Sequence, residues 1–131
     1  MPYKINEKEI AAVSRLAAPQ RYEHFLNRAA DWQEVWALKG ADGFVGMGDD
    51  VGNEGIPFWP HPAYAEKHAI GEWADCQPVQ ISTADFVDKW LPGMARDGAK
   101  AIIFPTPEMK GPVVDPQRLL ADLTAQLDEY E

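Results

Sequence analysis

The spacing of apolar side chains along the 131-residue chain predicts helices at its beginning and strands after them. In "APQRYEHFLNRAADW", Tyr22, Phe25 and Leu26 follow the i, i+3, i+4 spacing that places side chains on one face of a helix. The preceding segment "NEKEIAAVSRLAA" is similar, and Asn6 and Glu9 lie three residues apart, as in a helix capping box. Two consecutive helices are therefore predicted.

Short runs of β-branched and aromatic residues then predict strands. "QEVWALK" and "GFVGMG" lie on either side of a turn that contains Asp42-Gly43, a pair typical of hairpins. "GIPFWP" predicts a third strand, and Pro57, which lacks an amide hydrogen, places it at an edge or an irregular end of the sheet. "KAIIFPTP" and "GPVV" predict two more strands.

Proline and capping residues mark three further helices. Pro62 lies in the first turn of "HPAYAEKHAIGEW", and Ser82 caps "ISTADFVDKWLPGMARDG", in which Pro92 must kink or restart the helix. Asp115-Pro116 begins the last helix, where Arg118 and Asp122 are spaced as an ion pair on the outside. The residues expected to face inward there are Leu119, Leu120, Leu123, Leu127 and Tyr130.

The element order ααβββααββα predicts one α+β domain over residues 1–131, with a small antiparallel or mixed sheet covered by helices mainly on one face. Trp36 and Trp90 lie in apolar runs and are predicted to be in the core. Trp32, Trp59 and Trp73 lie at element ends beside polar residues, where one edge of the ring is expected in water.

The formal net charge of −9 is concentrated in the middle of the chain. Residues 40–88 contain nine acids and a single base, Lys67. Such a field repels phosphate backbones, so we expect no nucleic-acid partner, and it attracts a basic peptide, a basic protein or a cationic ligand. The alternative is that these acids only keep the domain soluble.

Several functional classes lack their signals in this sequence. The start "MPYKINEKEI" has no apolar signal segment and no apolar run reaches membrane-spanning length, so we expect a cytoplasmic protein without a membrane partner. Cys76 is the single cysteine and is predicted to be buried. His24 and His68 lack a second histidine at i+4, and no metal or other cofactor is expected.

The stretch "GDDVGNEGIPFWPHPAYAE" raises four hypotheses. Asp49, Asp50, Asn53 and Glu54 offer the hard oxygens of a calcium loop, but the ligand spacing of an EF-hand is missing. Asp49 and Asp50 are also candidates for a catalytic carboxylate pair. A purely structural interpretation is that the glycines form turns and that the prolines, with His61, begin a helix.

The fourth hypothesis is a binding surface of aromatic rings beside carboxylates. Rings in fixed positions supply contact area at low entropic cost, and carboxylates steer a cationic partner. We therefore expect a binding domain more than an enzyme. The alternative is a small hydrolase or a metal-assisted enzyme that uses carboxylates and a histidine of residues 49–61. The predicted binding residues are Asp49, Asp50, Glu54, Trp59, His61, Tyr64 and Trp73.

Four segments resemble a known family: "RYEHFLNRAADWQEVWAL", "GDDVGNEGIPFWPHPAYAE", "GEWADCQPVQISTADFVDKWLPGMARDGAKAIIFPTP" and "VVDPQRLLADL". They are similar to small bacterial proteins grouped as domain of unknown function 2750, and "WPHP" and "FPTP" are the most distinctive parts. The resemblance implies a bacterial source and a compact single-domain product. It brings no activity and no catalytic residues.

Overall fold

The first two helices have the predicted positions. The computed structural model describes residues 7–40, 43–44, 46–48, 54–67, 69, 73–105 and 113–128. Within it, α1 spans Glu7–Ser14 and α2 spans Ala18–Trp32. Pro19 lies in the first turn of α2, and the Ala17 N–H donates to Gln20 Oε1 at 3.2 Å. Asn6, the predicted cap of α1, lies outside the described residues.

Within the described residues, seven strands form two small sheets. The first has the order β2-β1-β5, with every pair antiparallel. The second has the order β3-β4-β6-β7, in which β4 and β6 run parallel and the other pairs are antiparallel. Their bounds are β1 Glu34–Gly40, β2 Gly43–Phe44, β3 Met47–Gly48, β4 Glu54–Phe58, β5 Gln77–Ser82, β6 Lys100–Ile103 and β7 Val113–Val114. The α+β class with mixed strand pairing is confirmed.

A pair of backbone hydrogen bonds joins the two sheets. The Trp36 N–H donates to the Trp59 carbonyl and the Trp59 N–H donates to the Trp36 carbonyl, both at 2.8 Å. This antiparallel bridge connects the middle of β1 with the residue that follows β4. The two sheets are therefore joined along a seam at Trp36 and Trp59.

The sequence predicts Pro57 at an edge or an irregular end of the sheet. The strand β4 is not an edge strand, because it lies between β3 and β6. Pro57 pairs with Ile102 of β6. On the other side, the partners that β3 supplies are opposite Glu54 and Gly55 and do not extend to Pro57. A proline is tolerated there because one flank of the strand makes no ladder at that position among the described residues.

The strand β5 was not predicted from the sequence. Val79 and Ile81 alternate with Gln80, which is the period of a half-buried strand, but Pro78 obscures this signal. The strand lies at the edge of its sheet, where a proline is acceptable. The single strand predicted for "GFVGMG" is also corrected, because it is divided between β2 and β3 in different sheets.

The helices between β4 and β6 begin at the proline and capping residues that the sequence indicates. Helix α3 is Pro62–Lys67, shorter than predicted. Ser82 Oγ accepts the Asp85 N–H at 3.1 Å and so caps α4 (Thr83–Asp85), as expected. A π-helical segment (Phe86–Trp90) then leads into α5 (Leu91–Asp97). The wider turn immediately precedes Pro92, where the sequence predicts a disturbance.

The last helix, α6 (Pro116–Asp128), also begins as predicted. Asp115 Oδ1 accepts the Gln117 N–H at 2.9 Å. Leu119 and Leu123 are fully buried, and Leu120 and Leu127 pack against the core. Tyr130 lies outside the described residues. No helix in the described ranges combines the length and apolar character needed to cross a bilayer.

The assignment of the tryptophans to core and surface is partly wrong. Trp59 is completely buried, whereas Trp36 and Trp90 are only partly buried against the core. The polar edge of Trp59 is not in water, because its Nε1–H donates to the Pro105 carbonyl at 2.8 Å. Cys76 is buried and free, as predicted.

Candidate functional site

Helices α2 and α6 pack side by side over the core and form the walls of a groove. Leu26, Leu119 and Leu123 are buried between or beneath them. Asn27 Oδ1 accepts a hydrogen bond from Gln126 Nε2 at 2.6 Å, and Tyr22 is bonded to Asp122. Because residues 22 and 27 face residues 122 and 126 in the same order, the two helices run in the same direction.

The groove, which we call the α2–α6 groove, has a volume of about 500 Å³. This lies within the range of small-molecule and peptide side-chain sites. Apolar atoms supply its walls, and they come from Pro19, Leu26, Val114 and Ala125. An occupant would therefore bury apolar surface here.

The polar wall of the groove is a network of three side chains. The Tyr22 hydroxyl donates to Asp122 Oδ2 at 2.6 Å. Arg118 Nε lies 3.6 Å from the same oxygen, and its guanidinium carbon lies 6.0 Å from the centre of the Tyr22 ring. The ion pair predicted at i, i+4 on α6 is thus confirmed, with Tyr22 of α2 as a third member.

Tyr22 is held in its protonated form. Burial of the ring, the hydrogen bond to Asp122 and the negative charge of Asp122 raise the pKa of Tyr22 well above its usual value, while Arg118 lowers it by less. The hydroxyl therefore donates at neutral pH. It fixes the Asp122 carboxylate against α2, so the acidic group of the groove has a defined position.

The groove carries more negative than positive charge. Glu23 and Asp122 contribute carboxylates and Arg118 contributes the cation. Glu23 is exposed, and among the described residues its carboxylate has no hydrogen-bond or ion-pair partner. A cationic group entering the groove would find an uncompensated carboxylate at one side and apolar walls below.

Three of the predicted binding residues lie inside the protein. Trp59, His61 and Tyr64 expose 0%, 7% and 3% of their surfaces. The ring centres of His61 and Tyr64 are 6.4 Å apart, and that of Tyr64 is 4.5 Å from Phe104. The expectation that these rings form an accessible face is therefore wrong. Burial follows from the seam at Trp59, which draws the chain between the two sheets.

His61 contacts the backbone at the start of a helix, which is one of the positions that the sequence predicts for it. Its Nδ1 accepts the Ala63 N–H at 3.1 Å, in the first turn of α3. The ring also packs edge-on at 6.0 Å from Trp32. The predicted position at the start of a helix is confirmed.

Of the remaining predicted residues, Glu54 and Trp73 lie within the described part of the chain. Asp49 and Asp50 lie outside the described residues. Glu54 begins β4, opposite Gly48 of β3. Trp73 is partly buried and packs against the core. A role of these residues in binding stays a prediction.

At the carboxyl ends of the parallel strands β4 and β6, the "WPHP" segment meets the first two residues of "FPTP", since Trp59 Nε1–H donates to the Pro105 carbonyl. The Phe104 N–H donates to the Phe58 carbonyl at 2.8 Å. Phe104 has a φ of 53°, a left-handed conformation that is rare for a bulky residue. Its carbonyl accepts Arg21 Nη1 at 3.3 Å, and Arg21 is 1% exposed. This closed region, in which Trp59, Arg21 and Phe104 are buried, has the position of many ligand sites in parallel sheets.

Burial also affects the bases of the closed region. It lowers the pKa of Arg21. Burial and the nearby Arg28 charge lower the pKa of His24, against a smaller opposite influence of Glu9. Among the residues that the structure describes, no group of three or more His, Cys, Asp or Glu side chains has the arrangement of a metal site.

The fold gives the class of the protein, and comparison with known proteins gives its family. The fold is that of a small α+β domain with a groove between its first long helix and its last. The chain belongs to the family described as "Protein of unknown function (DUF2750)", whose sequence model matches residues 22–123. Neither a curated protein nor a solved structure matches the sequence.

The groove residues were not singled out from the sequence. Tyr22 was assigned to a core-facing stripe, and Arg118 with Asp122 to an ordinary surface pair. The Tyr22–Asp122 bond spans 100 positions of the chain. The local signal was the ion-pair spacing on α6, but nothing local indicates that α2 lies beside it.

Proposed function

We propose that this protein is a binding domain and that the α2–α6 groove takes a basic segment of a peptide or protein partner. The observation that carries the proposal is a groove of about 500 Å³ with apolar walls and an exposed carboxylate, Glu23, that has no partner among the described residues. Apolar contact supplies the affinity, and the carboxylates select for positive charge.

The charge of the whole chain supports the same partner. A net charge of −9 raises the local concentration of cations and accelerates their encounter with the groove. We assign the steering role to Asp49, Asp50 and Glu54, as the sequence predicts. Replacing Asp49→Asn and Asp50→Asn together should slow association at low salt and change it little at high salt, which stopped-flow kinetics would measure. We also place the protein in the cytoplasm, which the free thiol of Cys76 fits.

No observation favours the alternative of a small hydrolase or a metal-assisted enzyme. It needs His61 as an acid or base, but His61 Nδ1 already accepts the Ala63 N–H and the ring is 7% exposed. Its carboxylates, Asp49 and Asp50, lie outside the described residues. Binding is therefore the function that we propose.

The test is a titration of isotopically labelled protein with two peptides of equal length, one alternating arginine and leucine and the other alternating glutamate and leucine. The basic peptide should shift the amide resonances of α2 and α6 around the groove, and the shifts should shrink as salt rises. Glu23→Gln should weaken binding, since it removes one carboxylate without changing the shape of the groove. Equal shifts with both peptides would contradict the proposal.

A pair of tryptophan variants on α6 separates the groove from the rest of the surface. Ala125 lines the groove and Thr124 is exposed beside it without lining it. Ala125→Trp should fill the groove and abolish binding of the basic peptide, whereas Thr124→Trp should leave it intact. If both variants bind as the parent does, the contact surface lies elsewhere.

A further inference from the structure

We infer that Arg118 occupies, within the protein itself, the place that an arginine of the partner takes on binding, and this inference rests on the function proposed for the α2–α6 groove. Arg118 Nε lies 3.6 Å from Asp122 Oδ2, and the guanidinium carbon lies 6.0 Å from the Tyr22 ring centre. A carboxylate beside an aromatic face is a combination that suits a planar guanidinium. The polar wall of the groove is thus already built for this group.

The Asp122 carboxylate is fixed in position, whereas the Arg118 guanidinium is held only loosely. The Tyr22 hydroxyl bonds Asp122 Oδ2 at 2.6 Å and ties the carboxylate to α2. The Arg118 side chain is 73% exposed, and ion pairs at that exposure contribute little to stability. Moving the Arg118 side chain away from Asp122 therefore costs little free energy. An arginine of the partner gains more binding free energy from this place than Arg118 does, because the residues beside it in the peptide also cover the apolar walls of the groove.

The geometry selects arginine over lysine. Oδ2 of Asp122 serves Tyr22 and Arg118, and Oδ1 has no partner among the described residues. A guanidinium has five donors in a flat fork, so it can bond Oδ1 while its face lies on the Tyr22 ring. A lysine ammonium offers a point charge without a flat face. The partner segment therefore carries an arginine flanked by apolar residues.

The experiment measures the affinity of the intact protein for two leucine-rich peptides that differ only in having arginine or lysine at one central position. Arg118→Ala should tighten binding of the arginine peptide about two- to five-fold, the factor expected when an exposed ion pair no longer competes. Arg96→Ala is the matched control, because Arg96 is an exposed arginine of α5 and its loss changes the net charge equally. The arginine peptide should bind more tightly than the lysine peptide.

The outcomes separate this inference from the proposed function. An equal gain in Arg118→Ala and Arg96→Ala would reduce the effect to net charge and overturn the inference, as would weaker binding in Arg118→Ala or equal affinity for the two peptides. If the parent protein binds the arginine peptide and Ala125→Trp abolishes that binding, the groove function stands even then. Binding that Ala125→Trp leaves unchanged overturns both.

Discussion

Helix α2 borders two regions, and an arginine is buried in one of them and exposed in the other. On one side Arg21 is 1% exposed, donates to the Phe104 carbonyl at 3.3 Å and lies in the closed region at the ends of β4 and β6. On the other side Arg118 is 73% exposed and lies over the open α2–α6 groove. Adjacent residues of one helix, Arg21 and Tyr22, thus belong to a buried interior and to the lining of an open groove.

The difference teaches which polar groups are available for recognition. Arg21 bonds a backbone carbonyl whose own residue has an unusual φ, so moving it would disturb the strand ends. Arg118 forms only an ion pair, with a carboxylate that the Tyr22 hydroxyl already holds in place. Removal of a buried cation is a change to the fold, and removal of an exposed one is a change to the surface. The variants below compare the stability contributions of buried residues with those of Tyr22 at the groove.

The largest effect is expected for Trp59→Ala in the closed region. Trp59 is completely buried and its Nε1–H is bonded to the Pro105 carbonyl at 2.8 Å. The variant should lose about 3–5 kcal/mol of the free energy of unfolding, because it leaves a cavity and an unpaired carbonyl. Urea denaturation measures this loss. Trp59→Phe, which keeps most of the ring, should lose clearly less, and equal losses would contradict the packing described.

A smaller loss is expected for Gly55→Ala, which would crowd the parallel pairing of β4 with β6. A Cβ at Gly55 would lie 2.8 Å from the Lys100 carbonyl oxygen and 2.9 Å from Ile102 Cγ1. Such overpacking should cost about 1–3 kcal/mol, seen as a lower melting temperature. Gly93→Ala in α5 is the matched control, since its Cβ would meet nothing closer than 3.6 Å. That variant should be neutral or stabilising, and a loss as large as for Gly55→Ala would count against this explanation.

On the groove side, Tyr22→Phe should cost only about 0.5–1.5 kcal/mol, the usual value of one hydrogen bond. The pH dependence gives a sharper signal. The pKa of Tyr22 is raised in the folded state, so its contribution is complete below the ordinary value of 10.0 and declines as pH rises above it. Denaturation at several alkaline pH values should therefore show a shallower decline for Tyr22→Phe than for the parent. Parallel curves would mean that Tyr22 does not titrate as described.

The smallest effect is expected for His24→Gln in the closed region. Burial lowers the pKa of His24, so the unfolded chain takes up a proton at a higher pH than the folded protein does. Stability should fall as pH decreases through the ordinary value of 6.5 and level off below the folded-state pKa. The variant should lose part of this acid dependence, measured as melting temperature against pH. An unchanged acid dependence would show that other groups cause it.

The sequence predicts the structure best where that structure depends on residues close together along the chain. The spacing of Tyr22, Phe25 and Leu26 predicted α2, and the capping by Ser82 and Asp115 followed from residues two or three positions away. The burial of Trp59 could not be predicted in this way. It depends on a bridge to Trp36 and a hydrogen bond to Pro105, which lies 46 positions further along.

The binding residues were harder to predict than the fold for the same reason. Aromatic density in "IPFWPHPAY" was interpreted as a surface, but a run of rings also suits a seam between sheets, and local composition does not separate the two. The α2–α6 groove needs residues from both ends of the chain, and each is unremarkable alone. Only the pairing of Arg118 with Asp122 was visible locally.

The parallel course of α2 and α6 has a mechanical consequence. A force that pulls on Ala18 and Asp128 acts on opposite ends of two helices that lie side by side. The Tyr22–Asp122 and Asn27–Gln126 contacts would then be loaded together in shear instead of opening one after the other like a zipper. The two helices that form the α2–α6 groove therefore also provide the resistance to stretching.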